Sequence, residues 1–207
     1  MTMDRAGWPF VAPAFIAAVV AAALGWPVMA VACGGAAGFF VFFFRDPART
    51  VPAGDRVVVS PADGRVLVAG DADPASAPAG RWMQISIFLS PLDVHINRIP
   101  SGGRVTRIVY TPGRFLPAYR AGAASANERN EIWIDREGRQ VVCRQVVGIL
   151  ARRLVCRTRE GAMVSTGERY GLMKFGSRFD LFLPPEVVLK VRVGDRVRGG
   201  ETVVATW

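Results

Sequence analysis

The sequence contains a single histidine, His95, and only two lysines, Lys174 and Lys190. One imidazole excludes the multi-histidine sites that hold catalytic zinc. Cysteine is also scarce. Cys33, Cys143 and Cys156 share no C-x-x-C spacing. An odd, scattered set supports neither a disulfide framework nor a thiolate metal site, so no metal is expected and the three thiols are read as small packing residues. No charged side chain occurs between residues 8 and 44. That apolar stretch is about twice as long as the core of a secretory signal peptide, which argues against one. Nothing in the chain has the pattern of a nucleic-acid-binding motif, so nucleic acid is not an expected partner.

The formal net charge is +9 and is carried almost entirely by arginine. Such a charge favours anionic surfaces, and the apolar segment directs that reading toward lipid headgroups. Two apolar runs, Trp8–Leu24 and Trp26–Phe44, flank Gly25-Trp26-Pro27. Each is close to the ~20 residues that cross a bilayer as a helix. Gly and Pro at the junction suit a tight turn. Arg5 precedes the first run and Arg45, Arg49 and Arg56 follow the second. Basic residues at both ends and none at the turn predict a membrane hairpin over residues 1–46 with both ends cytoplasmic, at the inner membrane.

After Pro52 the texture changes. Short Val-, Ile- and Phe-rich runs alternate with polar residues between Gly, Pro and Asp. Strands are expected over Arg56–Ser60, Arg65–Ala69, Met83–Leu89, Arg104–Tyr110, Glu131–Asp135 and Gln140–Leu150. Asp71–Gly80 is expected as a Pro/Ala-rich loop, and residues 113–130 as a long irregular one. The last segment, Val187–Ala205, reads as strand, Val-Gly-Asp turn, strand, Gly-Gly turn and strand. It resembles the hammerhead of lipoyl and biotinyl carrier barrels. The expected fold is therefore mainly β, a flattened barrel or sandwich over residues 47–207 closed by both ends of that segment and preceded by the helical hairpin. A fold analogy of this kind carries no function.

Four motifs hold the candidate chemistry. They are Pro61-Ala62-Asp63-Gly64, Pro91-Leu92-Asp93-Val94-His95-Ile96-Asn97-Arg98, Asn127-Glu128-Arg129-Asn130-Glu131 and Phe175-Gly176-Ser177-Arg178. Taken singly, a Gly-Ser pair is a common turn and an Asp-Gly pair a common hairpin. Taken together, with Phe-Phe-Arg-Asp-Pro at 43–47, the set resembles the phosphatidylserine decarboxylases of the short bacterial and archaeal type. The resemblance runs along nearly the whole chain, in order and in spacing.

That resemblance implies a pyruvoyl-dependent enzyme. In the family the Gly-Ser bond cuts itself, which here places cleavage between Gly176 and Ser177. A large chain, residues 1–176, and a small chain, residues 177–207, would then stay associated. Glycine on the carbonyl side lets the backbone take strained geometry. Ser177 Oγ attacks the Gly176 carbonyl, the resulting ester eliminates to leave dehydroalanine at residue 177, and water hydrolyses this to the pyruvoyl cofactor with release of ammonia. A hydroxyl needs a base to become a nucleophile, and the only histidine is His95. Asp63 stands at the family's position for a carboxylate that orients the imidazole. The pyruvoyl carbonyl then serves as electron sink while the serine headgroup loses carbon dioxide, and His95 is the candidate proton donor.

Two departures stand out. The long-type enzymes carry Asp-x-His-x-x-His, whereas Arg98 occupies the second histidine position here, so either His95 serves both steps or the assistance to cleavage comes from elsewhere. Phe175 and Arg178 replace the Leu and Thr of the long type's Leu-Gly-Ser-Thr. Arg178, Asn127, Arg129 and Asn130 are the candidate binders of phosphate or carboxylate, arginine because it offers a planar donor fork. The expected partners are the membrane phospholipid and the two chains for each other, with a homo-oligomer left open. The alternatives are a decarboxylase of a related serine lipid such as archaetidylserine, or a non-catalytic carrier-like module with a modified lysine.

Overall fold

A computed structural model describes residues 2–117, 123–148, 154–174 and 177–207. The chain divides into an N-terminal unit, Met1–Ala48, and a second unit, Arg49–Trp207.

The N-terminal unit is a helical hairpin. Strand β1 (Thr2–Met3) pairs antiparallel with β2 (Arg45–Asp46) and ties the two open ends together. A short 3-10 turn, Arg5–Gly7, is capped by Asp4, whose Oδ1 accepts from Ala6 N at 2.8 Å. Helix α1 (Trp8–Ala23) and helix α2 (Pro27–Phe43) follow. Each begins with a proline in its first turn, where the missing N–H has no helical acceptor to lose. Trp26 N donates to Ala21 O at 2.8 Å and closes the turn between them. Phe10 packs on Phe40 and Phe44, with ring centroids 5.5 and 5.4 Å apart. The outward faces are also apolar, Val28 being 83% and Val31 76% exposed. No charged side chain interrupts either helix, so neither presents a charged face. Arg5–Ala23 is long and apolar enough to cross a membrane, with a mean hydropathy of 1.8, while Pro27–Phe43 is a shorter apolar helix.

The second unit is built from β3 (Val57–Val59), β4 (Gly64–Asp71), β5 (Met83–Leu89), β6 (Ile96–Arg98), β7 (Gly103–Thr111), the short helix α3 (Ala123–Ala126), β8 (Arg129–Arg136), β9 (Arg139–Val147), β10 (Leu154–Cys156), β11 (Met163–Val164), β12 (Arg169–Met173), β13 (Ser177–Leu183), β14 (Val188–Leu189), β15 (Arg196–Val197) and β16 (Val203–Thr206). One eight-stranded sheet, in the order β11-β7-β8-β9-β13-β5-β4-β15, curls into a half-barrel. Two three-stranded sheets, β10-β12-β6 and β14-β16-β3, complete it. Pairing of β3 with β16 joins the two ends of this unit, as the sequence predicts. The β8–β9 hairpin turns on Glu137 and Gly138, both with positive φ, and this mirror-image turn matches the twist of the paired strands.

Period-two alternation explains the core. Phe179, Leu181 and Leu183 of β13 join Ile85, Ile87 and Leu89 of β5, and Val141 and Cys143 of β9. All are fully buried, each large side chain contributing about 1.5–3 kcal/mol relative to exposure. The opposite face of these strands and of neighbouring β8 carries Arg178, Asp180, Ser86, Gln84, Arg144 and Glu131, also buried. It lies under the segment between β4 and β5, where the Ser76 carbonyl accepts from Arg144 Nη1. Val187–Ala205 holds β14, β15 and most of β16 with their intervening turns, an order of elements compatible with the carrier-like hammerhead expected there.

Candidate active site

The four sequence motifs meet at one end of β13. Ser177 opens that strand, its backbone paired with Leu89 of β5 on one side and Val147 of β9 on the other. Immediately after Leu89 the chain enters the turn that ends in His95. Asp93 closes this turn by accepting from Ser90 N at 2.8 Å, while Asp93 N donates to Ser90 O at 2.9 Å. His95 then accepts through its own carbonyl from Met173 N, at 3.2 Å. The stretch from Met173 to Ser177 is thus held at both ends by residues 89 and 95. Phe175 and Gly176 lie outside the described residues.

The Pro61–Gly64 segment is clasped from two sides. Arg98 N donates to Pro61 O at 2.9 Å, and β4 begins at Gly64 beside Phe88. A Cβ on Gly64 would overlap the Phe88 carbonyl oxygen and stand 2.9 Å from Ile87 Cγ2. Only glycine lets the two strands approach so closely. Gly64→Ala is expected to lower stability by about 2 kcal/mol or more, because backbone must shift to relieve the overlap. Thermal denaturation checks this, and an unchanged midpoint would contradict it.

His95 is fully buried. Its Nδ1 lies 3.0 Å from the Asp93 carbonyl oxygen. A carbonyl can only accept, so Nδ1 carries a proton, and in the neutral form of the ring the lone pair is on Nε2. The Asp63 carboxylate is engaged elsewhere. Its Oδ1 accepts from Gly199 N at 2.7 Å and its Oδ2 pairs with Arg49 Nη2 at 2.6 Å. Burial raises the pKa of Asp63, the Gly199 N–H and Arg49 oppose that rise, and the nearby Asp93 adds to it. Asp63 and the His95 turn therefore share one electrostatic neighbourhood, although the imidazole hydrogen bond goes to Asp93 rather than to Asp63.

The candidate binders are placed less uniformly. Arg178 is buried on the polar face of the sheet, with Nε 2.6 Å from Asp180 Oδ1 and Nη2 3.0 Å from Ser86 Oγ. Asn127 is fully buried and bonds the backbone of Leu116 at 2.9 and 2.8 Å and Val147 O at 2.8 Å. It anchors the chain around Leu116 to the residue paired with Ser177. Asn130 Nδ2 lies 3.4 Å from Gln145 Oε1. Arg129 Nη1 donates to Ser125 O at 2.9 Å, and its side chain is 23% exposed.

Two elements of the site were not singled out from sequence. One is Arg49, whose pairing with Asp63 spans an irregular stretch that no periodicity marks. The other is a buried amide chain in which Gln145 Nε2 donates to Asn97 Oδ1 at 2.7 Å. Asn97 is fully buried, and its Nδ2 has no hydrogen-bond partner among the described residues. Its place inside Asp-Val-His-Ile-Asn was the available signal. A donor left unpaired two residues after His95 fits a site made to receive an oxygen-bearing group.

Burial raises the pKa of the Cys143 and Cys156 thiols, so neither is a thiolate nucleophile at neutral pH. Among the described residues, no cluster of three or more His, Cys, Asp and Glu has the arrangement of a metal site.

Comparison with known proteins accounts for the arrangement. Residues 36–205 match the family model of phosphatidylserine decarboxylase. The chain is 44% identical over 199 residues to a phosphatidylserine decarboxylase proenzyme of Geotalea uraniireducens, covering 96% of this chain and 93% of that one. It is 42% identical over 195 residues to the proenzyme of Pelodictyon phaeoclathratiforme, covering 92% of each. With the proenzyme of Symbiobacterium thermophilum it shares 43% identity over 201 residues, 97% of this chain and 93% of the relative. The motifs that meet at the head of β13 thus sit in a chain that belongs to the phosphatidylserine decarboxylase family.

Proposed function

We propose that this decarboxylase processes itself, cutting Gly176–Ser177 and converting Ser177 into a pyruvoyl group that decarboxylates phosphatidylserine to phosphatidylethanolamine. One observation carries the reading. Ser177 heads β13 against Leu89, and the turn leaving Leu89 delivers the only histidine to the backbone of Met173.

The residues divide the work as follows. His95 Nε2 takes the proton from Ser177 Oγ as the hydroxyl attacks the Gly176 carbonyl. The Asp93 carbonyl fixes the tautomer that leaves Nε2 basic. Asp63, ionised, favours the imidazolium that forms. The ester eliminates, and water releases ammonia from residue 177. When formed, the pyruvoyl group supplies the electron sink for the pair left behind by carbon dioxide. His95 returns a proton to the substrate carbon. Arg129, the most exposed of the four candidate binders, meets the headgroup phosphate. Arg178, Asn127 and Asn130 shape the wall behind it.

A carbonyl reagent tests the reading. Phenylhydrazine is expected to abolish decarboxylation of phosphatidylserine vesicles and to remain bound to the small chain. Full activity after treatment would overturn it.

We place the hairpin in the inner membrane with the second unit on the cytoplasmic face. Deleting residues 8–44 removes no charge, so the formal +9 remains. The truncated protein is expected to leave neutral vesicles but to bind anionic ones in a salt-sensitive way. Sedimentation with vesicles checks this. Binding to neutral vesicles at high salt would contradict it.

A further inference from the structure

Arg49 is the first residue of the second unit and precedes every strand in it. Its guanidinium reaches two carboxylates at once, Asp63 at 2.6 Å through Nη2 and Glu201 at 3.0 Å through Nη1. The side chains of Arg49 and Asp63 are only 7% and 15% exposed, so water and salt screen this pair weakly. Thr50 N also reaches Glu201, at 3.4 Å, which fastens the same stretch of backbone to the Gly200 turn.

We propose that Arg49 is a positioning residue for self-cleavage, clamping Asp63 beside the His95 turn and holding that carboxylate in its charged form. The proposal rests on the assignment of Asp63 to cleavage made above.

The charges around Asp63 come from four segments. Arg49 faces it directly. Glu201 shares Arg49, and Arg198 lies 4.0 Å from Glu201 with its own side chain 75% exposed. Asp93, from the turn before His95, adds a repulsive negative charge. Arg98 stands behind the Gly200 turn, where a Cβ on Gly200 would meet its Cδ at 2.8 Å. Burial and Asp93 both favour the protonated acid, while Gly199 N–H and Arg49 oppose them. Arg49 is the nearest full positive charge in this balance. Without it the carboxyl holds its proton to higher pH. A protonated Asp63 no longer favours the imidazolium on His95.

The sign of the pH effect follows. Cleavage that needs ionised Asp63 is lost as pH falls through the folded-state pKa of that group. Loss of Arg49 raises that pKa, so the acid limb of the rate profile moves to higher pH. Once the pH is high enough to ionise Asp63 unaided, the variant and wild-type rates converge. A purely structural role would slow cleavage by the same factor at every pH.

The experiment follows cleavage of freshly refolded full-length protein by gel and mass spectrometry across a pH series. Arg49→Gln is expected to cleave about tenfold more slowly than wild type at about pH 6, with the gap closing as pH rises. Arg49→Lys, which keeps the charge, is expected to stay within about threefold with an unmoved profile. Glu201→Gln removes the second carboxylate charge on Arg49 but leaves Arg49 to Asp63, and is expected to match wild type. A pH-independent loss in Arg49→Gln, or the same loss in Glu201→Gln, overturns the proposal. If Arg49→Gln does not fold, Arg49→Lys decides, and slow cleavage there overturns it. Asp63→Asn separates the two levels of the reading. Wild-type cleavage in that variant removes the role of Asp63 itself, whereas slow cleavage beside a normal Arg49→Gln profile removes only the role of Arg49.

Discussion

Ser177→Ala is expected to remain one chain of 207 residues with no measurable decarboxylation. In the function proposed above, the side chain removed is at once the attacking hydroxyl and the source of the prosthetic group, so both processing and catalysis should be lost. The fold has no reason to change. The backbone of residue 177 pairs with Leu89 and Val147 whatever its side chain, and alanine accepts extended geometry. The variant should therefore keep the wild-type circular dichroism spectrum and thermal midpoint. Gel electrophoresis and an assay on phosphatidylserine vesicles check this. A cleaved Ser177→Ala chain would mean that the nucleophile lies elsewhere.

Replacing His95 is expected to have the next largest effect. No second imidazole exists to share its work, and Arg98, at the second histidine position of the long-type enzymes, cannot act as a base at neutral pH. Loss of a general acid or base costs roughly 10²–10⁴-fold in rate. His95→Ala should slow self-cleavage by a factor in that range. The same substitution can be placed in an enzyme assembled from residues 1–176 and a pyruvoyl-bearing 177–207 fragment. Decarboxylation should fall there by a similar factor while the spectrum stays native. Because the ring is buried, a structural role must be told apart from a chemical one. His95→Gln retains a polar side chain able to meet the Asp93 carbonyl, and should restore folding without restoring rate. Normal decarboxylation by the assembled His95→Ala enzyme would confine the histidine to cleavage or remove it from both steps.

Much of the fold was legible in the sequence because its strands are local and alternate cleanly. Met83–Leu89 has the bounds that its pattern predicts, and the helical hairpin follows from two apolar runs around Gly25-Trp26-Pro27. The short strands that frame the site were not legible. Ile96–Arg98 is too brief to show a period, and Arg169–Met173 contains Gly171, whose Cβ would stand 2.9 Å from Gln145 Nε2. Their pairing to one another is a tertiary fact. Residues 113–130 read as an irregular loop, yet Asn127 organises part of it through three backbone hydrogen bonds.

The candidate site divides in the same way. Motif order along the chain predicts which segments matter, but side-chain pairing depends on contacts between distant segments. Arg178 reads from the Gly-Ser motif as an anion binder. On a strand residues two apart share a face, and Arg178 pairs with Asp180 there, a contact that the motif does not announce. Asp63 reads as the partner of the imidazole, and its carboxylate instead meets Arg49 and Gly199. The sequence of the Asp93 turn gives no sign that a backbone carbonyl will fix the His95 tautomer.

The most direct test of a self-made pyruvoyl enzyme is the intact mass of the purified wild-type protein under denaturing conditions. Two species are predicted, one of residues 1–176 with a free carboxyl terminus and one of residues 177–207. The smaller should be lighter than the plain peptide by one ammonia and refractory to Edman sequencing. A single intact chain that decarboxylates phosphatidylserine at full rate would contradict the account.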